Sequence, residues 1–291
     1  MMKTILVPTD FSKGATHAAE IAIRLAEQLH DRLLLWNCAP QIPVMPGYLG
    51  GPLLAETVAG SVESQDKFQQ VTEDLEDFMT NTGGDYKPQL LTRYSEGGFR
   101  EALARQLREE AFELIVIGAP AGCAIEHIFT GSHTLQVIEA AVCPVLIVPS
   151  RAALSQLEKV VFATDYEPGD LEAISYLSEL SQTLGFRIEV VHVIVNGENR
   201  GDAAQKETIF NEQLAKLKGP PISSKEIRGR DVVGRLNRVS KQTGADMLTM
   251  SHHHYSFFKN LFSESKVERE LAHQKIPLLV FPLKNSQKQR K

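Results

Sequence analysis

The chain has 291 residues, of which 43% are hydrophobic and 23% charged, and a formal net charge of −5. This balance is ordinary for a soluble globular protein of about two domains, and it carries no basic footprint for nucleic acid. No apolar run approaches a membrane span, and Ile5-Leu6-Val7 before Pro8 is too short for a signal-peptide core.

In chain order, Thr4–Val7 reads as a strand. Ala15–Leu29 reads as a helix, with Ala18, Ile21, Ala22, Leu25 and Leu29 on one face and Ser12 as its cap. Leu33–Trp36 is a strand, and Trp36 is a core residue. The Pro- and Gly-rich stretch Ala39–Gly60 reads as a loop, and QIPVMPGYLGGP (41–52) within it as either a lid over the first crevice or packing against the other copy. Val62–Met79 is a helix, Pro88–Arg93 a strand, Phe99–Glu109 a helix and Leu114–Ile117 a strand. Ser132–Ala141 is a helix, and Val145–Val148 closes the unit.

A second copy follows. KTILVPTDFS (3–12) resembles KVVFATDYEP (159–168), so Thr9-Asp10 recurs 155 positions later as Thr164-Asp165. FELIVIGA (112–119) matches ADMLTMSH (245–252), and CPVLIVP (143–149) matches IPLLVFP (276–282), both at an offset of 133. The chain is a tandem duplication whose second copy is 22 residues shorter in between, the difference of the two offsets. The expected units are 1–150 and 151–291.

Wholly apolar strands alternating with helices indicate an α/β fold, with two doubly wound parallel sheets in tandem. Each copy ends in an apolar strand bracketed by prolines, Pro144 and Pro149 in one and Pro277 and Pro282 in the other. Neither strand carries a Lys or an internal Pro to deter pairing. The expectation is that they cover each other antiparallel, as an intramolecular pseudo-dimer.

Ligands of doubly wound sheets sit beyond the carboxyl ends of strands, where strand order reverses. In the first copy that rule selects Pro8, Thr9, Asp10, Asn37 and Gly118, with Gly131 and Ser132 at the start of a helix whose free N–H groups suit an anion. The segment GAPAGCAIEHIFTGS (118–132) contains no Lys or Arg. Two readings stand: a phosphate cradle, or a turn whose glycines serve backbone geometry. Asp10 and Asp165 likewise either bind a ligand or cap the following turn. His127 within the segment and His133 just after it read as surface groups.

The Thr-Asp strand end, the IVIG strand, the Gly-Ser helix start and CPVLIVP resemble the universal stress protein family in its tandem form. The resemblance implies a Rossmann-like fold of the adenine-nucleotide alpha hydrolase type and a stress-response role. It also implies a loop G-x2-G-x9-G-[S/T] for ATP with Mg²⁺. Gly118, Gly131 and Ser132 match that loop. Ala121 replaces its second glycine, with Gly122 one residue late. A left-handed backbone at Ala121 would cost roughly 1–2 kcal/mol. Without cationic side chains the loop suits binding more than phosphoryl transfer. The implied protein is a regulatory module that binds adenine nucleotide and does not catalyse efficiently, with further homo-oligomerisation left open.

The second copy has SHHHYSFFKNLFSES (251–265), with Ser251 for Gly118, His254 for Ala121 and Glu264 for Gly131. A carboxylate at the helix start would occupy the dipole and repel phosphate. His252 and His254 could share a face and, with His192 and Asp165, bind Zn²⁺. Their spacing matches no standard zinc motif, so an aromatic plug in an abandoned site is preferred. A metal- or other small-ligand-binding protein using this His-rich copy is the second reading of function, and a ligand-free interaction scaffold is the third. Cys38, Cys123 and Cys143 are odd in number and without CxxC spacing, which suits reduced thiols in the cytoplasm, with Cys143 buried.

Overall fold

The computed structural model describes residues 2–40, 52–119, 132–150, 152, 157–195, 200–229, 232–251 and 276–282. Its first half contains β1 (Thr4–Pro8), α1 (Lys13–Leu29), β2 (Arg32–Ala39), α2 (Pro52–Thr82) and β3 (Leu90–Glu96). It continues with α3 (Phe99–Glu109), β4 (Leu114–Gly118), α4 (Ser132–Ala140) and β5 (Val145–Val148). The second half contains β6 (Lys159–Ala163), α5 (Pro168–Leu184), β7 (Arg187–Val195) and α6 (Arg200–Leu214). It ends with β8 (Ile222–Gly229), α7 (Val232–Thr243), β9 (Met247–Ser251) and β10 (Leu278–Phe281).

All ten strands join one sheet in the order β3-β2-β1-β4-β5-β10-β9-β6-β7-β8. Within each half the pairing is parallel, and the order reverses between β1 and β4 and again between β6 and β9. The halves meet at β5 and β10, which pair antiparallel with Leu146 opposite Leu279. These two residues are each other's repeat counterparts, 133 positions apart. A pseudo-two-fold axis therefore passes between them, and the apolar edge of each half is covered by the other.

Side-chain alternation builds a core on both faces of the sheet. Ile5 and Val7 lie in the cluster on the face of α1, whereas Leu6, Leu34 and Trp36 lie in the cluster on the opposite face, with α3 and α4. Helix α1 lies close to the strands because Ala15, Ala18, Ala19, Ala22 and Ala26 are buried along it. Its start is capped by Ser12, whose Oγ accepts the Ala15 N–H at 3.2 Å. Its end is His30 in the left-handed region (φ 57°), where the second half has Gly185 (φ 79°). Trp36 is fully buried and donates its indole N–H to Ser95 Oγ at 2.9 Å.

The largest departure from the sequence reading is at Ala39–Gly60. Residues 41–51 lie outside the described residues, and from Pro52 onward the chain is helical. Pro52 opens a helix instead of marking a loop, because the first turn has no use for its missing N–H. Among the described residues no helix is long and apolar enough to cross a membrane.

The β5–β10 pairing implies that the fragment 1–150 exposes an apolar edge. It is expected to self-associate in analytical sedimentation at tens of micromolar, roughly the range where such contacts show. A fragment that stays monomeric there would contradict this role for the pairing.

Candidate functional site

At the carboxyl end of β1 the chain makes a tight turn. The Thr9 N–H donates to the Trp36 carbonyl at 2.9 Å, extending the β1–β2 pairing by one bond. The Thr9 hydroxyl oxygen accepts the Phe11 N–H at 3.1 Å, and Phe11 takes a left-handed φ of 66°. Asp10 Oδ1 accepts the Ser12 N–H at 3.0 Å. This turn points the chain into α1 and leaves the rest of the Asp10 carboxylate exposed.

Asn37, near the end of β2, is 4% exposed and donates Nδ2–H to the Thr9 carbonyl at 2.8 Å. Its Oδ1 is buried and has no hydrogen-bond partner among the described residues. A buried amide oxygen without a donor costs about 1–3 kcal/mol, so it is an acceptor waiting for a partner.

These residues open onto a crevice of about 400 Å³, within the usual range for small-ligand sites. Pro8, Thr9, Asp10, Asn37 and Gly118 all line it, as the strand-order rule expects. So do Ser12, Ala15, Cys38, Phe99, Ala119, Thr134 and Val137. His133, also on its wall, stacks on Phe99 at 4.4 Å between ring centroids. Helix α4 begins at the crevice and has no acidic residue in its first turn. Among the described lining residues there is no Lys or Arg.

Gly118 has its own steric explanation. A Cβ there would lie 2.5 Å from the Gly14 carbonyl group and 2.8 Å from the Ala15 nitrogen. The first glycine of the loop is thus required for close approach of β4 to the start of α1, with or without a ligand. Gly122, Gly131, His252 and His254 lie outside the described residues, as does the side chain of Ser132.

The crevice has few groups that could do chemistry. Ser12 Oγ is engaged as a helix cap, and burial pushes the Cys38 thiol upward, with Arg105 opposing it weakly. Cys143, deeper in the core, is pushed up to about 12 by burial and by the Glu113 charge. Among the described residues no nucleophile is hydrogen-bonded to a base here. The donors and acceptors suit holding a ligand.

A sequence model of the universal stress protein family matches residues 1–149 and again 156–282. The chain belongs to the universal stress protein family. A universal stress protein from Thermus aquaticus ("in QAH/OAS sulfhydrylase 3′region") is 32% identical over 148 residues, 51% of this chain and 99% of the relative. The crystal structure of a universal stress protein from Archaeoglobus fulgidus DSM 4304 covers 96% of both chains at 15% identity, with a TM-score of 0.66. A structure from Pseudomonas aeruginosa UCBPP-PA14 covers 97% of this chain and 93% of its own at 14% identity, with a TM-score of 0.54. Those two structures speak to the fold, which is the family's α/β architecture in tandem.

The second family repeat keeps the turn and changes its surroundings. Thr164 Oγ1 accepts the Tyr166 N–H at 2.9 Å, and Tyr166 has φ 63°, as Phe11 does in the first repeat. His192 occupies the place of Asn37. Its Nδ1 lies 2.8 Å from the Thr164 carbonyl, which can only accept, so Nδ1 carries the proton. Asp170, fully buried, stands where the first repeat has Ala15 and accepts the Thr164 hydroxyl at 2.7 Å. Ser251 replaces Gly118. His192 Nδ1 and Asp165 Oδ1 are 3.7 Å apart, but no group of three or more metal-ligating side chains converges among the described residues.

The sequence reading missed the Phe99–His133 wall, Thr134 and Val137. Phe99 and His133 sit at the starts of α3 and α4, and helix starts follow strand carboxyl ends in this fold. That offset was the available signal.

Gly118→Ala should destabilise the protein by about 1–3 kcal/mol, the usual cost of overpacking, in urea unfolding without nucleotide. An unchanged midpoint would mean that the close approach to Gly14 relaxes freely.

Proposed function

We propose that the first repeat, 1–150, binds ATP with Mg²⁺ as the ligand-sensing half of a stress-response regulatory protein. The second repeat, 151–291, keeps the fold without that ligand. The observation that carries this reading is the buried, unpartnered Asn37 Oδ1 on the wall of a crevice at the strand-order reversal. A nucleotide offers donors to that oxygen and to the Asp10 carboxylate. The start of α4, with Gly131 and Ser132, would take the phosphates through free N–H groups and the positive dipole end. Bound Mg²⁺ would supply the counter-charge that the lining side chains lack.

The same lack of Lys and Arg favours binding over phosphoryl transfer, where cations stabilise the developing charge. In the second repeat, Glu264 in the sequence places a carboxylate where the phosphates would go, and Asp170, at the first turn of α5, adds a buried carboxylate at the place of Ala15. The free thiols of Cys38 and Cys143 suit a cytoplasmic setting.

Calorimetry with Mg·ATP should show binding by the wild-type chain. Gly131→Glu should abolish it by placing a carboxylate at the α4 dipole. Asn37→Ala should weaken it about fivefold to tenfold, the worth of one hydrogen bond. ATP should also slow alkylation of Cys38. Absence of binding at millimolar ATP would refute the proposal.

A further inference from the structure

We propose that the seam between the two repeats is a second ligand site, for a small amphipathic cation with an apolar body and an ammonium head. A cavity of about 540 Å³ lies there, larger than the crevice and sharing no lining residue with it. It sits over the β5–β10 pair, between α1 and α5. Pockets between packed units are a common setting for small-molecule sites.

Its floor follows the pseudo-two-fold. Leu146 lies opposite its counterpart Leu279, and the counterparts Leu25 and Leu180, and Leu29 and Leu184, all line the cavity, at the repeat offsets of 133 and 155. Such a floor offers an apolar body a continuous surface and can discriminate little beyond size.

The polar rim breaks the symmetry and sets the head group. Asp31, Glu113 and Glu179 contribute three carboxylates, against the ammonium of Lys3 and the imidazole of His30. Lys3 is already committed: its Nζ lies 2.8 Å from Glu113 Oε1. That hydrogen bond, with the fields of Glu113, Asp31 and Glu179, raises the Lys3 pKa against the opposing effect of burial. The same carboxylates therefore act on one small region. Asp31 is 5% exposed and accepts the Lys3 backbone N–H at 3.0 Å; burial pushes its carboxyl upward. Glu179 is exposed on α5 and has no ion pair among the described residues.

The repeat counterparts of these acids do not face the cavity. Glu179 corresponds to Arg24, which lies over the Phe78 ring, and Glu113 to Asp246, which accepts the N–H groups of Glu158 and Lys159. One end of a symmetric apolar floor thus carries an excess of negative charge. An anionic head would face the Lys3–Glu113 pair and two further carboxylates, Asp31 and Glu179. An ammonium finds both Coulomb attraction and acceptors.

The test is calorimetry on the full chain at low salt without nucleotide, so it is read independently of ATP binding. The probes are n-octylamine, octanoate and octanol, which share one apolar body. Octylamine should bind at one per chain and at least tenfold more tightly than octanoate, with octanol between. Glu179→Gln, at an exposed position that leaves the fold intact, should weaken octylamine about threefold, as an exposed charge does, and leave octanol unchanged. Leu180→Trp, which fills the floor, should weaken both. Octanoate binding as tightly as octylamine, no octylamine binding, or an octylamine affinity untouched by Glu179→Gln would each overturn the proposal.

Discussion

The antiparallel pairing of β5 with β10 is the contact on which the rest of the molecule depends. Each of these strands is apolar, short and bracketed by prolines, and both are buried where they lie side by side. An uncovered edge of this kind would invite association with other chains. Joining the edges within one chain makes the contact intramolecular, at an effective concentration that separate domains lack. It also fuses two five-stranded sheets into one of ten strands, and it sets α1 beside α5 across the seam.

Duplication preserved the scaffold and released the ligand end. The hydroxyl-to-N–H turn after β1 recurs after β6 with the same left-handed residue, because the helix that follows must start in a fixed direction. What differs is the group placed around that turn. Asn37 becomes His192, Ala15 becomes Asp170 and Gly118 becomes Ser251. His192 donates to the Thr164 carbonyl as Asn37 donates to that of Thr9, whereas Ser251 Oγ is buried with no hydrogen-bond partner among the described residues. The carboxylate of Asp170 is held by the Thr164 hydroxyl and the Asp165 N–H. The second repeat has therefore turned His192 and one oxygen of Asp170 onto its own turn, while Asp170 Oδ1 is buried without a partner among the described residues.

Much of this was legible from residue patterns. Wholly apolar runs and the offsets of 155 and 133 gave the strands, the duplication and the antiparallel seam, since an apolar edge has few ways to be satisfied. The strand-order rule placed Pro8, Thr9, Asp10, Asn37 and Gly118 around one crevice. Gly118 was legible as a special position but not for its reason, since the clash with Gly14 depends on how closely α1 approaches β4. The start of α2 was misread because Pro52 is at home in a first helical turn. The seam cavity was not legible at all. It is lined by side chains far apart in sequence, and its acidic rim appears only when Asp31, Glu113 and Glu179 are brought together by packing.

The central claim is that one chain holds two copies of a nucleotide fold and a single working nucleotide site. Native mass spectrometry of the full chain titrated with Mg·ATP tests it most directly. One nucleotide per chain, saturating without a second step, is the predicted result. Two nucleotides per chain, or none, would contradict the account.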